Sequence, residues 1–239
     1  EFARCDIRHI LTRHEQSAAH MADGFGRVSR KPGVCFATSG PGATNILTGI
    51  ATAQADSSPM IAVTGQVPVA MIGKDAFQES DIIGMANPVV KYAFQPRLPE
   101  DVPEAVRKGF YIAETGRPGP VLIDVPKDVQ QNEAPMEFPE EFKIQGYHPW
   151  YDPDIVACEK AIDMLLNSEK PIILAGGGTI ISSAFAELQS IAETLMLPVV
   201  TTFKGKGAFP ENHPLSLGPI GMHGHAEANK MMAEADCVL

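Results

Sequence analysis

Cysteine, tryptophan, basic clusters and long apolar runs are all scarce in this sequence. Its four cysteines (Cys5, Cys35, Cys158 and Cys237) lie far apart and form no CxxC pair. That argues against a disulfide framework or a zinc site and for a reducing, cytoplasmic compartment. No uninterrupted apolar run approaches the ~20 residues that a membrane-spanning helix needs. No signal peptide opens the chain either, so no membrane partner is expected. The formal net charge is -10 and basic residues are dispersed, which argues against nucleic acid as a partner. Met222-His223-Gly224-His225 carries two histidines at i and i+2 without further ligand candidates nearby, so no metal ligands are expected in the chain.

What is present describes a globular protein. The 239 residues, 44% hydrophobic and 20% charged, suffice for one large or two modest domains with a real core. Both ends read as internal to a longer protein: Glu1-Phe2-Ala3-Arg4 has no initiator Met, and Cys237-Val238-Leu239 stops inside an expected strand. Between them the pattern alternates. The run Ile7 to Leu11 reads as a strand, and Ala18, Ala19 and Ala22 as a helix. Strand Gly33 to Thr38 follows, then the turn Ser39-Gly40-Pro41-Gly42-Ala43-Thr44-Asn45 and helix Ile46 to Ala55. Next come strand Pro59 to Gly65, a loop-like segment from Gln66 to Ala93, helix Val102 to Glu114 and strand Val121 to Val125. Strands alternating with helices at this spacing predict an α/β fold with a parallel sheet covered on both faces.

From about Gln130 to Asp154 the prolines Pro135, Pro139, Pro149 and Pro153 interrupt any periodicity, and the segment reads as a proline-pinned linker. A second α/β unit follows: helix Ile155 to Leu166, strand Pro171 to Ala175 and turn Gly176-Gly177-Gly178. Helix Ser183 to Leu195, strand Pro198 to Thr202, the glycine-rich Lys204 to Gly207, helix Ala226 to Ala235 and strand Asp236 to Leu239 complete it. The expected division is a first domain over 1–129, a linker over 130–154 and a second domain over 155–239.

The chemical signals sit at strand ends, where ligands bind in open α/β sheets. Glu15 would stand in a partly dehydrated crevice, and burial raises a carboxyl pKa. The competing reading is an ordinary helix-start Glu favoured by the macrodipole. The turn from Ser39 to Gly42 offers backbone N–H groups to an anion or polar ligand, or is a tight turn with no ligand; it matches neither GxGxxG nor the Walker pattern. Gly176-Gly177-Gly178 stands where a Rossmann-like domain places its phosphate turn but lacks the full fingerprint.

Taken together, these pieces resemble a known family. Arg13-His14-Glu15-Gln16 with Ala18-Ala19-His20-Met21-Ala22-Asp23-Gly24, and Ala37-Thr38-Ser39-Gly40-Pro41-Gly42-Ala43-Thr44-Asn45, resemble the cofactor segments of thiamine diphosphate enzymes. Thr64-Gly65-Gln66-Val67-Pro68, Ile72-Gly73-Lys74-Asp75-Ala76-Phe77-Gln78-Glu79, Asp124-Val125-Pro126-Lys127-Asp128-Val129 and Gly221-Met222-His223-Gly224 narrow the resemblance to acetolactate synthase (acetohydroxyacid synthase) large subunits. It runs over essentially the whole chain but covers less than half of a family member. It implies a parallel-sheet pyrimidine-binding domain lacking its first strand, then a partial Rossmann-like central domain. The diphosphate-binding domain, with the Mg2+ ligands, would be absent.

The resemblance also implies roles. Glu15 would hydrogen-bond N1′ of the cofactor's aminopyrimidine and favour the imino tautomer that takes up the thiazolium C2 proton. Pro41, Gly42 and Asn45 would contact the cofactor. Phe77 and Gln78 would line the active site from the neighbouring subunit, Phe77 packing on substrate and Gln78 orienting intermediates. Lys127 would favour 2-oxo acid carboxylates, against the reading of a solvated loop lysine; Pro68 and Met222 would wall the channel. Arg117, Gly176, Gly177, Gly178, Thr201, Thr202, Met222, His223 and Gly224 match a family FAD site, although Phe203-Lys204-Gly205-Lys206 puts charge into a loop usually more apolar. The implied reaction joins pyruvate to pyruvate or 2-oxobutyrate with loss of CO2, giving acetolactate or acetohydroxybutyrate on the way to isoleucine and valine. A homodimer or homotetramer, with a regulatory small subunit as a further partner, would carry it, and the chain alone would be inactive. The alternatives are a related thiamine diphosphate-dependent decarboxylase, a sulfoacetaldehyde acetyltransferase, or a non-catalytic nucleotide-binding module.

Overall fold

A computed structural model describes residues 5–135, 137–149 and 152–239. It divides into two compact units, Glu1–Trp150 and Tyr151–Leu239. In the first, the order is α1 (Glu15–Ser29), β1 (Gly33–Ala37), α2 (Pro41–Asn45), α3 (Leu47–Ala55), β2 (Met60–Gln66), α4 (Ile82–Ala86), β3 (Tyr92–Phe94), α5 (Val102–Glu114), β4 (Pro120–Pro126) and α6 (Lys127–Gln131). Its strands pair in parallel in the order β1-β2-β4-β3. Alternate residues of the central strands serve opposite faces. Met60, Ala62 and Leu122 pack with Ala19, Ile46 and Ile50 on one side, while Ile61, Val121 and Ile123 pack with Ala105, Ile112 and Ala113 on the other. Cover on both faces explains why β4 is buried along its whole length.

The α1 helix turns a small-residue stripe inward, with Ala19, Ala22, Asp23 and Gly26 buried at i, i+3, i+4 and i+7 spacing. The buried Asp23 carboxylate is neutralised by Arg27, whose Nε and Nη2 donate to it at 2.9 and 2.8 Å, and Arg27 also pairs with Asp56 at 2.6 Å. A buried charge without such a partner is costly.

The second unit comprises α7 (Ile155–Leu166), β5 (Pro171–Ala175), α8 (Gly177–Ser182), α9 (Phe185–Leu195), β6 (Val199–Thr201), β7 (Ser216–Pro219), α10 (Ala226–Glu234) and β8 (Cys237–Val238). Its parallel sheet has the order β7-β6-β5-β8. One face packs Ile173, Ala175 and Val199 with Leu188 and Ala192; the other packs Ile172 and Val200 with Ala228.

Several expectations need correction. Residues 7–11 form no strand: they join no ladder, and Ile7, Ile10 and Leu11 are exposed, so the apolar run lacks the pairing that defines a strand. The helix expected from Ile46 to Ala55 is α3, but the turn expected before it holds a further short helix, α2, which ends against Ile46. The loop-like stretch from Gln66 to Ala93 holds α4 and part of β3, and β7 was not expected at all; these elements are too short for periodicity to reveal. The first turn of the second unit runs into α8 before α9 begins.

Part of the expected linker is fastened to the first unit by contacts other than its prolines. Tyr147 donates to the Thr115 carbonyl at 2.9 Å and meets Lys91 Nζ at 3.1 Å, while Phe142 packs edge-on against Tyr111. Met136 and Trp150 lie outside the described residues. Cys5, Cys35, Cys158 and Cys237 form no disulfide. Among the described residues no helix is long and apolar enough to cross a membrane, and no cluster of three or more His, Cys, Asp or Glu could hold a metal ion.

Candidate active site at the carboxyl edge of the first sheet

His14 starts α1 by accepting the Gln16 N–H on Nδ1 at 3.1 Å, which makes Glu15 the first helical residue. The helix-start reading of Glu15 therefore holds locally. What it adds is a long-range contact: Asn45, thirty residues on, donates from Nδ2 to Glu15 Oε2 at 3.1 Å. A Cβ at Gly42 would lie 2.7 Å from Thr38 Cγ2 and 3.5 Å from Glu15 Oε1. Only glycine leaves that side of the carboxylate open. Glu15, Gly42 and Asn45, three of the expected cofactor residues, are thus brought together where β1 ends, with Pro41 exposed in the first turn of α2.

The electrostatics run against the expectation. Glu15 is half-buried rather than enclosed, and its own backbone N–H and the Asn45 amide hold its carboxyl below the usual carboxylate range. The chain presents an ionised carboxylate that already accepts from two donors, with Asn45 on Oε2.

Phe77 and Gln78 lie on the segment between β2 and α4. Phe77 is 89% exposed. Gln78 packs its backbone on Gly40, where a Cβ would come within 2.7 Å of the Gln78 carbonyl oxygen, so the loop rests on the turn that leads to Gly42 and Asn45. Pro68 precedes the 3-10 turn Val69–Met71 on the same segment. Lys127 is placed by a different element, as the exposed first residue of α6 directly after β4.

Sequence reading missed the groups beneath this loop. Asp124, fully buried on β4, accepts from Thr64 Oγ1 at 2.6 Å, Gln66 Nε2 at 3.1 Å and Gln95 Nε2 at 2.7 Å. Burial pushes its carboxyl up, and those three hydrogen bonds oppose the shift. Gln66 also donates to the Ser80 carbonyl at 2.9 Å, fixing the loop's far end. A cavity of about 520 Å³ lies under the loop, lined by Gln66, Ile72, Gly73, Glu79, Gln95 and Arg97. One signal was legible: an acid inside Val121-Leu122-Ile123-Asp124-Val125 is anomalous in a buried strand.

The residues expected to hold FAD fall in both units. Arg117, in the first, is spent on the end of α3, with Nε donating to Ser57 Oγ at 2.7 Å. In the second unit, Gly176, Gly177 and Gly178 follow β5, Thr201 and Thr202 end β6, and Met222, His223 and Gly224 follow β7. Because the three strands are parallel, all of these share one sheet edge. Thr202 is engaged locally, accepting the Gly205 N–H on Oγ1 at 3.0 Å, and Met222 is 94% exposed.

Comparison with known proteins agrees with this layout. Residues 1–85 match the family model described as thiamine pyrophosphate enzyme, N-terminal TPP binding domain. Residues 158–239 match that of the thiamine pyrophosphate enzyme central domain. The chain is 55% identical over 237 residues to the probable acetolactate synthase large subunit of Methanocaldococcus jannaschii, covering 98% of this chain and 40% of that protein. It is 51% identical to the acetolactate synthase large subunit of Cyanidium caldarium, with the same shares. For that of Corynebacterium glutamicum the identity is 45%, over 100% of this chain and 38% of the relative. The chain spans about two fifths of the length of these curated relatives. Its two matched segments are thus thiamine pyrophosphate enzyme domains, and over 98% of its length the chain is a homologue of acetolactate synthase large subunits.

Proposed function

We propose that the full-length protein containing this chain is a thiamine diphosphate-dependent carboligase. It joins pyruvate to a second 2-oxo acid, pyruvate or 2-oxobutyrate, with release of CO2, in branched-chain amino acid biosynthesis. The observation that carries this reading is the Glu15 carboxylate at the sheet edge, tied by Asn45 and left open on the Gly42 side. A carboxylate with a free face fits the aminopyrimidine of the cofactor, whose ring nitrogen needs a partner that can hold or share a proton. Bound thiamine diphosphate supplies a stabilised carbanion at its thiazolium ring, chemistry that no side chain offers. Everything else is positioning. Glu15 holds the proton at the pyrimidine nitrogen, Asn45 fixes which oxygen does so, and Gly42 keeps the approach clear. Phe77 packs against substrate, Gln78 orients it, and Lys127 draws the carboxylate of a 2-oxo acid.

FAD, as a bound but non-reacting group, is assigned to the second unit's sheet edge, supported by the convergence there of Gly176 to Gly178, Thr201 and Thr202, and Met222 to Gly224. Arg117 is the weaker member of that set, since its guanidinium already serves the end of α3. Mg2+ and the cofactor diphosphate belong to the part of the relatives beyond the matched span. The domain limits 1–129, 130–154 and 155–239 are retained as the working division of the chain. A homodimer or homotetramer in the cytoplasm is the working form. The relatives' designation as large subunits supports a regulatory small subunit as partner.

The test is product analysis of the full-length protein with pyruvate, thiamine diphosphate and Mg2+. Acetolactate is the expected product. Acetaldehyde and CO2 without acetolactate point to a simple decarboxylase, and no turnover of pyruvate points to another substrate class. The chain by itself is expected to form no acetolactate.

A further inference from the structure

The loop between β2 and α4 has an internal fastening that none of the roles above uses. Glu79 turns its carboxylate back onto the loop, where Oε1 accepts the Gly73 N–H and Oε2 accepts the Ala76 N–H at 2.8 Å. Each oxygen is thus committed to a different backbone amide of the same short segment. Between those anchors the chain takes conformations that L residues seldom adopt, with Asp75 at φ 54° and Gln78 at φ 59°. Left-handed non-glycine residues cost of order 1–3 kcal/mol each and persist only where their surroundings over-determine them. They are held by the Glu79 carboxylate, by the turn in which the Glu79 N–H donates to the Ala76 carbonyl at 2.9 Å, by Gly40 against the Gln78 backbone, and by Gln66 on Ser80 beyond it. The product of this arrangement is Phe77 projecting outward, 89% exposed, with Gln78 seated on Gly40.

We infer that Glu79 is a positioning residue: its carboxylate sets the shape that presents Phe77 and Gln78 to substrate. The inference rests on the proposed carboligation for its readout. Glu79 touches no reacting atom, so its effect passes through the two residues beside it. The backbone hydrogen bonds that fix the loop also hold the Glu79 carboxyl below the usual range, so the fastening is ionised throughout the working pH range.

The experiment is a double-mutant cycle in the full-length protein. Glu79→Ala lowers kcat/KM for acetolactate formation about tenfold or more, comparable to losing the bond network around a positioned substrate. Glu79→Gln keeps one acceptor oxygen and recovers part of that loss. Thermal midpoint stays within about 2 °C and thiamine diphosphate affinity is unchanged, since Gly73 is exposed and Ala76 only half-buried, so both amides can turn to water. In a Phe77→Ala/Gln78→Ala background the Glu79→Ala effect shrinks to less than about threefold, because both groups it positions are gone. Full activity in Glu79→Ala, or effects that multiply independently in the cycle, overturns the inference. Should the wild type make no acetolactate, the reaction assignment fails, and hydrogen exchange at Gly73 and Ala76 then decides on the fastening. Faster exchange in Glu79→Ala supports it, and unchanged exchange overturns it.

Discussion

Gly40 and Gln78 close on each other backbone to backbone: a Cβ at position 40 would lie 2.7 Å from the Gln78 carbonyl oxygen and 3.1 Å from its Cα. Gly40 also sits at φ 61°, in the left-handed region. Gly40→Ala therefore meets both a backbone clash and an unfavourable conformation. The expected cost is about 1–3 kcal/mol, together with a fall in carboligation. Thermal denaturation and an acetolactate assay on the same preparation measure the two effects.

Gly178 is the opposite case. Nothing lies within 4 Å of a Cβ added there, and the residue is inside α8. Gly178→Ala should leave the protein as stable as before, or stabilise it by about 0.5–1 kcal/mol. If the turn after β5 holds FAD, the same methyl crowds the ligand. The expectation is an unchanged or raised melting temperature with less flavin retained on purification, read from absorbance.

Lys91 fastens two segments of the first unit. Its ammonium donates to the carbonyls of Ile112 and Thr115 at the end of α5 and contacts the Tyr147 hydroxyl. Lys91→Met leaves the Thr115 carbonyl to the Tyr147 hydroxyl at 2.9 Å and the Ile112 carbonyl with only a 3.5 Å contact to the same hydroxyl, at a cost of about 1–3 kcal/mol. Burial lowers the ammonium's pKa to about 8. The unfolded chain keeps that proton to the ordinary lysine range, so between about 8 and that range it binds more protons than the folded form. Stability from this group accordingly rises with pH across that window. Denaturant unfolding from pH 7 to pH 9, below the range where the buried Cys35 thiol, pushed up to about 12, has the opposite effect, should show the rise in the wild type and its loss in Lys91→Met.

Much of this was legible in the sequence, for identifiable reasons. Strands β1, β2, β4 and β5 are apolar runs closed by glycine or proline, and α5 and α7 carry clear helical periodicity, so they stood out locally. The cluster of Glu15, Gly42 and Asn45 was legible only through resemblance, since a contact across thirty residues has no periodic signature. The Ile7 to Leu11 run misled because strand formation depends on a neighbour, which composition does not report. The ionisation of Glu15 was misjudged for a related reason. The burial expected from its position is partial, and the donors that lower its pKa lie at the helix start and on Asn45. The Glu79 fastening and the partners of Asp124 were invisible because they are side chain-to-backbone and cross-strand pairings, although an acid inside an apolar strand marked Asp124 itself.

The most direct test of the account is the Glu15→Gln variant of the full-length protein, assayed for acetolactate from pyruvate beside the wild type. Glutamine keeps an oxygen for the Asn45 amide, so the fold should be unaffected, with a melting temperature within about 2 °C. The account predicts a loss of about 10²-fold or more in kcat with thiamine diphosphate still bound, because the group that manages the pyrimidine proton is gone. A variant that forms acetolactate at the wild-type rate would contradict the assignment of Glu15 as the activating carboxylate.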